Sequence, residues 1–152
     1  MVKKLLVALF LSLLVVGCGN QTSSDNDFFD NYKNTLIGDN SSVGAIIDSL
    51  HWESELTSFS LETNAQPYGL NLYFNGVEQP QTMIENAAYL FTLIGNLDYV
   101  VYDTSDALLQ IFRQDLETQL NTSFEPITQR SVLEDILNQH DLVDIYNNLP
   151  KG

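Results

Sequence analysis

The sequence predicts a single α+β domain, in which a mostly antiparallel sheet of about four strands packs against helices, behind a cleaved signal peptide. Three observations support this prediction. Residues 1–17 are organised like a signal peptide, two later segments alternate apolar and polar side chains, and other segments repeat apolar residues at helical spacing. The succession helix, hairpin, helix, strands, helix is typical of one α+β domain.

The amino terminus has the features of a lipoprotein signal peptide. Lys3 and Lys4 precede the uncharged run 5–16, which is too short to span a hydrocarbon core of about 30 Å. The run ends in Val15-Val16-Gly17-Cys18, an aliphatic residue and tolerated residues before a cysteine. We therefore expect cleavage after residue 17 and lipidation of Cys18, whose two acyl chains would hold the protein on the outer, extracytoplasmic face of the cell membrane.

The mature chain is strongly acidic. The protein has 20 Asp and Glu residues against 6 Lys and Arg residues, and removing residues 1–17 takes away two lysines and no acids. The remaining net charge is −16, from four basic and twenty acidic residues. This charge argues against nucleic acid as a partner, since a protein that binds nucleic acid needs a basic stripe on its surface. It also disfavours anionic lipid headgroups. We therefore expect membrane attachment through the lipid on Cys18.

We divide the chain into the signal peptide 1–17, a lipidated flexible tether 18–27 and one folded domain 28–152. The tether prediction rests on small polar residues with no apolar residue after Cys18. An aromatic lead-in follows and is expected to dock on the domain: Phe28, Phe29, Tyr32, Leu36 and Ile37.

The first helix and the sheet are predicted from their periodicity. Turn and N-cap residues precede an apolar i, i+3, i+4, i+7 pattern, which predicts a helix at about residues 41–50. Alternation over 55–63 and 68–75 predicts a hairpin. Asp98 and Asp103 enclose the run 99–102, which is apolar on both faces and typical of a central strand. Residues 108–112 fit a fourth strand.

Later segments predict further helices. Residues 82–94 carry apolar residues at helical spacing, with Gly95 placed as the C-terminal cap, and residues 115–120 favour a helical turn. Pro126 is expected to start the last helical stretch, and Asp141 to cap a final turn. The apolar face of the last stretch would consist of Val132, Leu133, Ile136 and Leu137.

Residues with catalytic or metal-binding chemistry form no recognised constellation in the sequence. His51 with Glu53 and Glu55 comes nearest to a metal site, because alternate residues of a strand share a face. A surface histidine beside Trp52 is the simpler interpretation. Serine nucleophile motifs such as G-x-S-x-G and S-x-x-K are absent from the sequence. We predict no catalytic residue, metal ligand or cofactor.

Two turns contain the residues that we select as a candidate recognition site. Gly38, Asp39 and Asn40 precede a helix N-terminus, whose free amides can bind a ligand, and Tyr68 with Gly69 opens a strand. The alternative interpretation is that these residues only define the turns of the fold.

The same turns carry a family resemblance. The stretches Tyr32-Lys33-Asn34-Thr35-Leu36-Ile37-Gly38-Asp39-Asn40-Ser41-Ser42-Val43-Gly44-Ala45-Ile46-Ile47 and Gln66-Pro67-Tyr68-Gly69-Leu70 resemble the DUF4825 family, a domain of unknown function. The resemblance covers roughly residues 28–140 and includes Asn86-Ala87-Ala88, Leu90-Phe91 and Asn96-Leu97-Asp98. It implies a domain found mainly in Firmicutes, as small lipoproteins or as an extracytoplasmic segment of antirepressor-sensor metallopeptidases. The family has no defined functional residues to carry over.

These observations predict a membrane-anchored extracytoplasmic domain without enzymatic activity, which binds a cell-envelope ligand or protein partner as a sensor or accessory of a membrane complex. The alternative is a cell-envelope hydrolase or substrate-binding lipoprotein that uses acidic residues. A deep cleft with convergent acids would favour the enzyme, and a flat apolar patch would favour a partner surface.

Overall fold

The computed structural model describes residues 23–150. The predicted signal peptide, Cys18 and the first part of the predicted tether lie outside this range. Among the described residues, no helix has the length and apolar content needed to cross a membrane.

The described residues form six helices and four strands. In chain order these are α1 (Ser23–Tyr32), α2 (Asn40–Ser49), β1 (Glu55–Glu62), β2 (Gly69–Asn75), α3 (Pro80–Leu93), β3 (Tyr99–Asp103), β4 (Leu108–Phe112), α4 (Arg113–Gln119), α5 (Arg130–Leu137) and α6 (Leu142–Asn148). The α+β class and the four strands are confirmed.

The sheet has the order β1-β2-β3-β4 and is mixed. The pairs β1–β2 and β3–β4 are antiparallel, whereas β2 and β3 are parallel. Two of the three strand pairs thus fit the prediction of a mostly antiparallel sheet, and the correction is the parallel pair at its centre. The reason is the 14-residue helix α3, which lies between β2 and β3 and returns the chain to the end where β2 started, so that β3 runs in the same direction.

One face of the sheet is buried and the other is not. The inner face contributes Leu70, Leu72, Phe74, Val100, Tyr102, Leu109 and Ile111 to the core, where they pack with the helices. Alternate residues of the same strands, such as Tyr73, Val101 and Gln110, are half-buried or exposed. We call this second side the outer face. Helix α3 is the central helix of the core, because every residue from Met83 to Leu93 except Glu85 is buried.

Several element ends differ from the sequence prediction. Helix α5 begins at Arg130 rather than at Pro126, because residues 124–127 form a turn in which the Ile127 amide bonds the Phe124 carbonyl. Val132 is 43% exposed while Leu133 and Leu137 are buried, since residues four apart share the inward side of this helix.

Helix α1 begins at Ser23, so the last five residues of the predicted tether are helical.

The aromatic lead-in docks on the domain as expected, although not along its whole length. Phe29 and Ile37 are buried, whereas Leu36 is exposed. Phe28 is half-buried and its ring lies 4.5 Å from that of Tyr32. Two adjacent aromatic residues of a helix point about 100° apart, so only one of Phe28 and Phe29 can enter the core.

Candidate ligand-binding groove

A cavity of about 490 Å³ lies between α1, the end of α2, α3 and the start of α5. Its volume lies within the range of about 300–1,000 Å³ that is common for small-molecule sites. We call this cavity the α3 groove. Its lining consists of Phe28, Phe29, Ser49, Leu50, His51, Thr82, Glu85, Asn86, Tyr89, Leu93 and Arg130.

The apolar wall of the groove comes from helix α1 and the end of α2. Phe29 anchors α1 in the core, which leaves the half-buried Phe28 ring beside the cavity. Leu50, the C-cap residue of α2, lies on the same side and is also half-buried. A ligand that covered these two side chains would remove apolar surface from water.

Tyr89, Arg130 and Glu134 form a hydrogen-bonded group at one end of the groove. The Tyr89 hydroxyl donates to Glu134 Oε1 at 3.0 Å, and Arg130 Nε donates to the same oxygen at 2.8 Å. The Arg130 guanidinium carbon lies 5.5 Å from the centre of the Tyr89 ring. Burial raises the pKa of Tyr89 to about 12, and the Glu134 hydrogen bond raises the pKa of Arg130. This end therefore presents a neutral phenol and a permanently charged guanidinium.

His51 and Asn86 hold the floor of the groove to the rest of the fold. The buried Asn86 side chain donates to the His51 carbonyl at 2.6 Å, which fixes the junction between α2 and β1 on α3. Trp52 Nε1 donates to the Ile47 carbonyl at 3.1 Å. The His51 imidazole is exposed, with Nε2 3.5 Å from Glu53 Oε1. Hydrogen bonds of the backbone thus hold this junction on α3, while the imidazole remains exposed to solvent.

Of the three residues considered for a metal site, the structure brings His51 and Glu53 together but not Glu55. Glu55 accepts a hydrogen bond from Asn75 Nδ2 at 3.3 Å, on the next strand, rather than joining His51 and Glu53. Residues 23–150 contain no group of three or more His, Cys, Asp or Glu side chains placed to hold a metal ion.

The predicted recognition residues serve local turns. Asp39 caps α2, accepting from the Ser42 amide at 3.1 Å and from its hydroxyl at 2.8 Å, and the Ser42 hydroxyl lowers the pKa of Asp39 most. Gly38 and Asn40 flank this cap and are exposed. One backbone amide at the start of α2, that of Ser42, is therefore already bonded within the protein.

Tyr68 and Gly69 form the entry to β2. The Tyr68 amide donates to Asp98 Oδ2 at 2.7 Å, and its carbonyl accepts from the Asp98 and Tyr99 amides. Gly69 lies beneath the Tyr99 ring. Within residues 23–150, no hydrogen bond or ring contact joins this turn to residues 38–40, and the α3 groove is lined by other residues. Both turns thus make hydrogen bonds within the fold, and a recognition role for these residues stays a prediction.

Two of the scarce basic residues are partly buried and bond backbone carbonyls near the C-terminal end of α3. Lys33 Nζ donates to the carbonyls of Thr92 and Phe124, at 2.9 and 3.1 Å. Arg113 donates to those of Leu97 and Ile94, at 2.7 and 2.8 Å. Positive charge is favourable where helix carbonyls lack partners. Burial lowers the pKa of both groups. The acidic charge of the domain is therefore poorly compensated at its surface.

The structure thus defines an α+β domain with a mixed four-stranded sheet and a groove between helices. Residues 29–115 match the sequence model of a family described as a domain of unknown function (DUF4825), and this is more than half of the chain. The chain belongs to this family. No curated protein and no solved structure matches it. The matched segment includes most of the groove, whereas Phe28 lies just before it and Arg130 and Glu134 lie beyond it.

Proposed function

We propose that this protein is a lipid-anchored, extracytoplasmic binding domain that takes its ligand in the α3 groove, as a sensor or accessory of a membrane complex. The observation that carries the proposal is the mixed lining of the groove. Phe28 and Leu50 offer apolar surface on one side, and Arg130 and Tyr89 form a polar end held by Glu134. Apolar walls with a few fixed polar groups are characteristic of ligand sites.

The lining also narrows the class of ligand. An apolar part would cover Phe28 and Leu50, and a hydrogen-bond acceptor would approach Arg130 or His51. Glu85 lines the same groove, and the mature chain has a net charge of −16, from four basic and twenty acidic residues. A strongly anionic ligand is disfavoured by this charge. We therefore propose a neutral or weakly charged ligand, such as a cell-envelope peptide or sugar fragment with an apolar group.

The proposed anchor would keep the groove close to the membrane. Cys18 precedes the first residue of α1, Ser23, by five positions. An extended chain gains at most about 3.5 Å per residue, so the distance between Cys18 and the start of α1 is at most about 17 Å. Because Phe28 of α1 lines the groove, a ligand or partner at the membrane surface would be within reach. This geometry suits an accessory of a membrane protein.

The anchor is tested by metabolic labelling with a fatty acid. We expect the wild-type chain to incorporate the label and a Cys18→Ala variant to remain unlabelled and to leave the membrane fraction. Equal labelling of the variant would disprove the anchor without bearing on the groove.

The groove is tested by ligand-dependent stabilisation. Full-length protein in phosphatidylcholine nanodiscs is melted in the presence of wall peptides, muropeptides and neutral sugars. A ligand at one hundred times its Kd should stabilise the folded state by about 2.7 kcal/mol. Arg130→Gln should weaken this effect, whereas Asp135→Asn, at an exposed site on the same helix, should not. An equal effect of both variants would show that the ligand binds outside the groove.

A second candidate function, a hydrolase that uses acidic residues, is favoured by one observation. Glu85 and His51 line the same groove, and a carboxylate and an imidazole can act as general acid and base. This function would be established if the wild-type protein releases product from a bound wall fragment and if Glu85→Gln abolishes this release while the fragment still binds. Binding without turnover would favour the sensor.

A further inference from the structure

The two edges of the sheet are protected to very different degrees. Strand β1 carries Glu55 and Glu62 at its ends and a register irregularity between Leu56 and Ser58. Strand β4, Leu108–Phe112, has no charged residue and no proline, and it pairs with β3 in continuous register. Proteins usually protect an exposed edge with charges, prolines or bulges, since an unprotected edge can pair with another strand. The β4 edge lacks the devices that the β1 edge has.

The β4 edge is also apolar on the outer face. Leu108 is 74% exposed and Phe112 is 39% exposed, whereas Leu109 and Ile111 are buried and hold the strand in place. On the neighbouring strand, the Tyr99 ring lies 5.8 Å from that of Phe112. In the described part of the chain, no strand lies beyond β4. The edge therefore combines an open strand with an apolar strip on one side of it.

Acidic residues lie at both ends of this edge. Asp103 is the register partner of Leu108, and Asp106 is exposed in the turn between β3 and β4. Asp115 lies in α4, three residues after Phe112. Strands β1 to β4 contain no Lys, Arg or His. The nearby Arg113 directs its guanidinium to the Leu97 and Ile94 carbonyls. The charge around the edge is therefore negative at both ends.

We propose that β4 is a docking edge, to which an extended segment of another protein adds as a fifth strand. The segment has apolar side chains at alternate positions, to cover Leu108 and Phe112, and Lys or Arg on each side, to meet the acidic ends. Strand addition of this kind derives affinity from backbone hydrogen bonds and specificity from alternate side chains. A second copy is a poorer occupant, because its own β4 brings the same acids and both copies carry a large negative charge.

The experiment measures binding of a defined peptide to the full-length protein in phosphatidylcholine nanodiscs. The probe is a fluorescein-labelled Lys-Lys-Val-Thr-Val-Thr-Val-Lys-Lys peptide, compared with a peptide in which glutamates replace the lysines. We expect saturable binding of the first peptide, detected by anisotropy, and at least tenfold weaker binding of the second. Hydrogen exchange of residues 107–112 should slow when the first peptide binds, because the edge amides gain partners.

A matched pair of variants locates the site. Leu108→Lys places a charge on the edge and should weaken binding at least tenfold, whereas Val143→Lys adds the same charge at a 44% exposed position of α6 and should leave binding unchanged. Circular dichroism confirms that both variants fold. The proposal is overturned if the lysine-flanked peptide does not bind, if both peptides bind equally, or if both variants lose binding equally. A dimer of the free protein that Leu108→Lys dissociates would assign the edge to a second copy and overturn it too.

Discussion

The ring of Tyr99 covers the backbone of Gly69, its register partner in the parallel pair β2–β3. A Cβ atom at position 69 would overlap the ring carbons and hydroxyl of Tyr99. Gly69→Ala should therefore displace the ring or separate the strands. Overpacking of this kind costs about 1–3 kcal/mol of unfolding free energy, which urea denaturation measures.

Gly44→Ala provides the control for this substitution. A Cβ at this position of α2 would meet Phe59 Cζ at 3.7 Å, an ordinary contact, and alanine favours the helix by about 0.5–1 kcal/mol. This variant should be stabilised. If Gly69→Ala costs as much in a Tyr99→Ala background as in the wild type, the overlap with the ring is not the cause.

Arg113 is predicted to be the most important basic residue for stability. Its guanidinium bonds two carbonyls beyond the end of α3 and lies 5.2 Å from the centre of the Phe91 ring. Arg113→Met keeps the aliphatic packing but removes the side-chain donor of the Leu97 carbonyl, and it leaves the Ile94 carbonyl with the Leu97 amide as its donor. A lost hydrogen bond to a charged group costs about 1.5–3 kcal/mol, and we expect a loss in that range, measured by urea denaturation.

Arg130→Met is the matched control for the Arg113 prediction. Arg130 pairs with Glu134 one turn away, and both side chains are partly exposed to solvent. Exposed pairs of this kind contribute about 1 kcal/mol or less. Equal losses of stability in the two variants would contradict the structural role given to Arg113.

Local chemistry made most of the fold predictable from the sequence. The start of α2 was placed within one residue because turn and N-cap residue types precede an apolar helical pattern, and the hairpin followed from alternation. The parallel pair was missed, because alternation gives the face of a strand but not its direction. The start of α5 was also wrong, since Pro126 is compatible with a turn as well as with a first helical residue.

The groove was not predictable, because its walls come from distant parts of the chain. Phe28, Leu50, Tyr89 and Arg130 lie on four different segments. In the sequence, Phe28 belonged to the aromatic lead-in, and the other three lay in predicted helical stretches. Only the packing of α1 and α5 against α3 brings them together. The turns at residues 38–40 and 68–69 stood out because turn chemistry is local, and the structure uses them for capping and strand entry.

The cap of α2 should make stability depend on pH through Asp39. The Ser42 hydroxyl and amide bond its carboxylate and lower its pKa, so the folded protein binds this proton at a lower pH than the unfolded chain. The contribution of the carboxylate is therefore present above the unfolded pKa of about 4 and is lost as the pH falls through the folded pKa. Asp39→Ala should melt below the wild type at neutral pH, with a difference that closes at acidic pH.

Asp48→Ala removes an exposed carboxylate from the same helix and serves as the control for Asp39. Its melting temperature should stay near that of the wild type across the same pH series. A difference for Asp39→Ala that persists unchanged at the lowest pH would show that its carboxylate is not the stabilising group.

Tyr89 should report on the α3 groove through its ionisation. Burial raises its pKa to about 12, above the value of about 10 for a free tyrosine. The folded protein therefore keeps this proton where the unfolded chain loses it, so the stabilising contribution is complete below pH ~10 and is lost as the pH rises towards 12. Burial also raises the pKa of Tyr102, so a near-ultraviolet absorbance titration of the folded protein should show late ionisation of both tyrosines. Tyr89→Phe should remove the Tyr89 step and leave that of Tyr102. A ligand in the groove would bury the phenol further and move the Tyr89 step to still higher pH. A Tyr89 step at the free-tyrosine value would mean that water reaches the phenol freely and that Tyr89 does not form a buried wall of the groove.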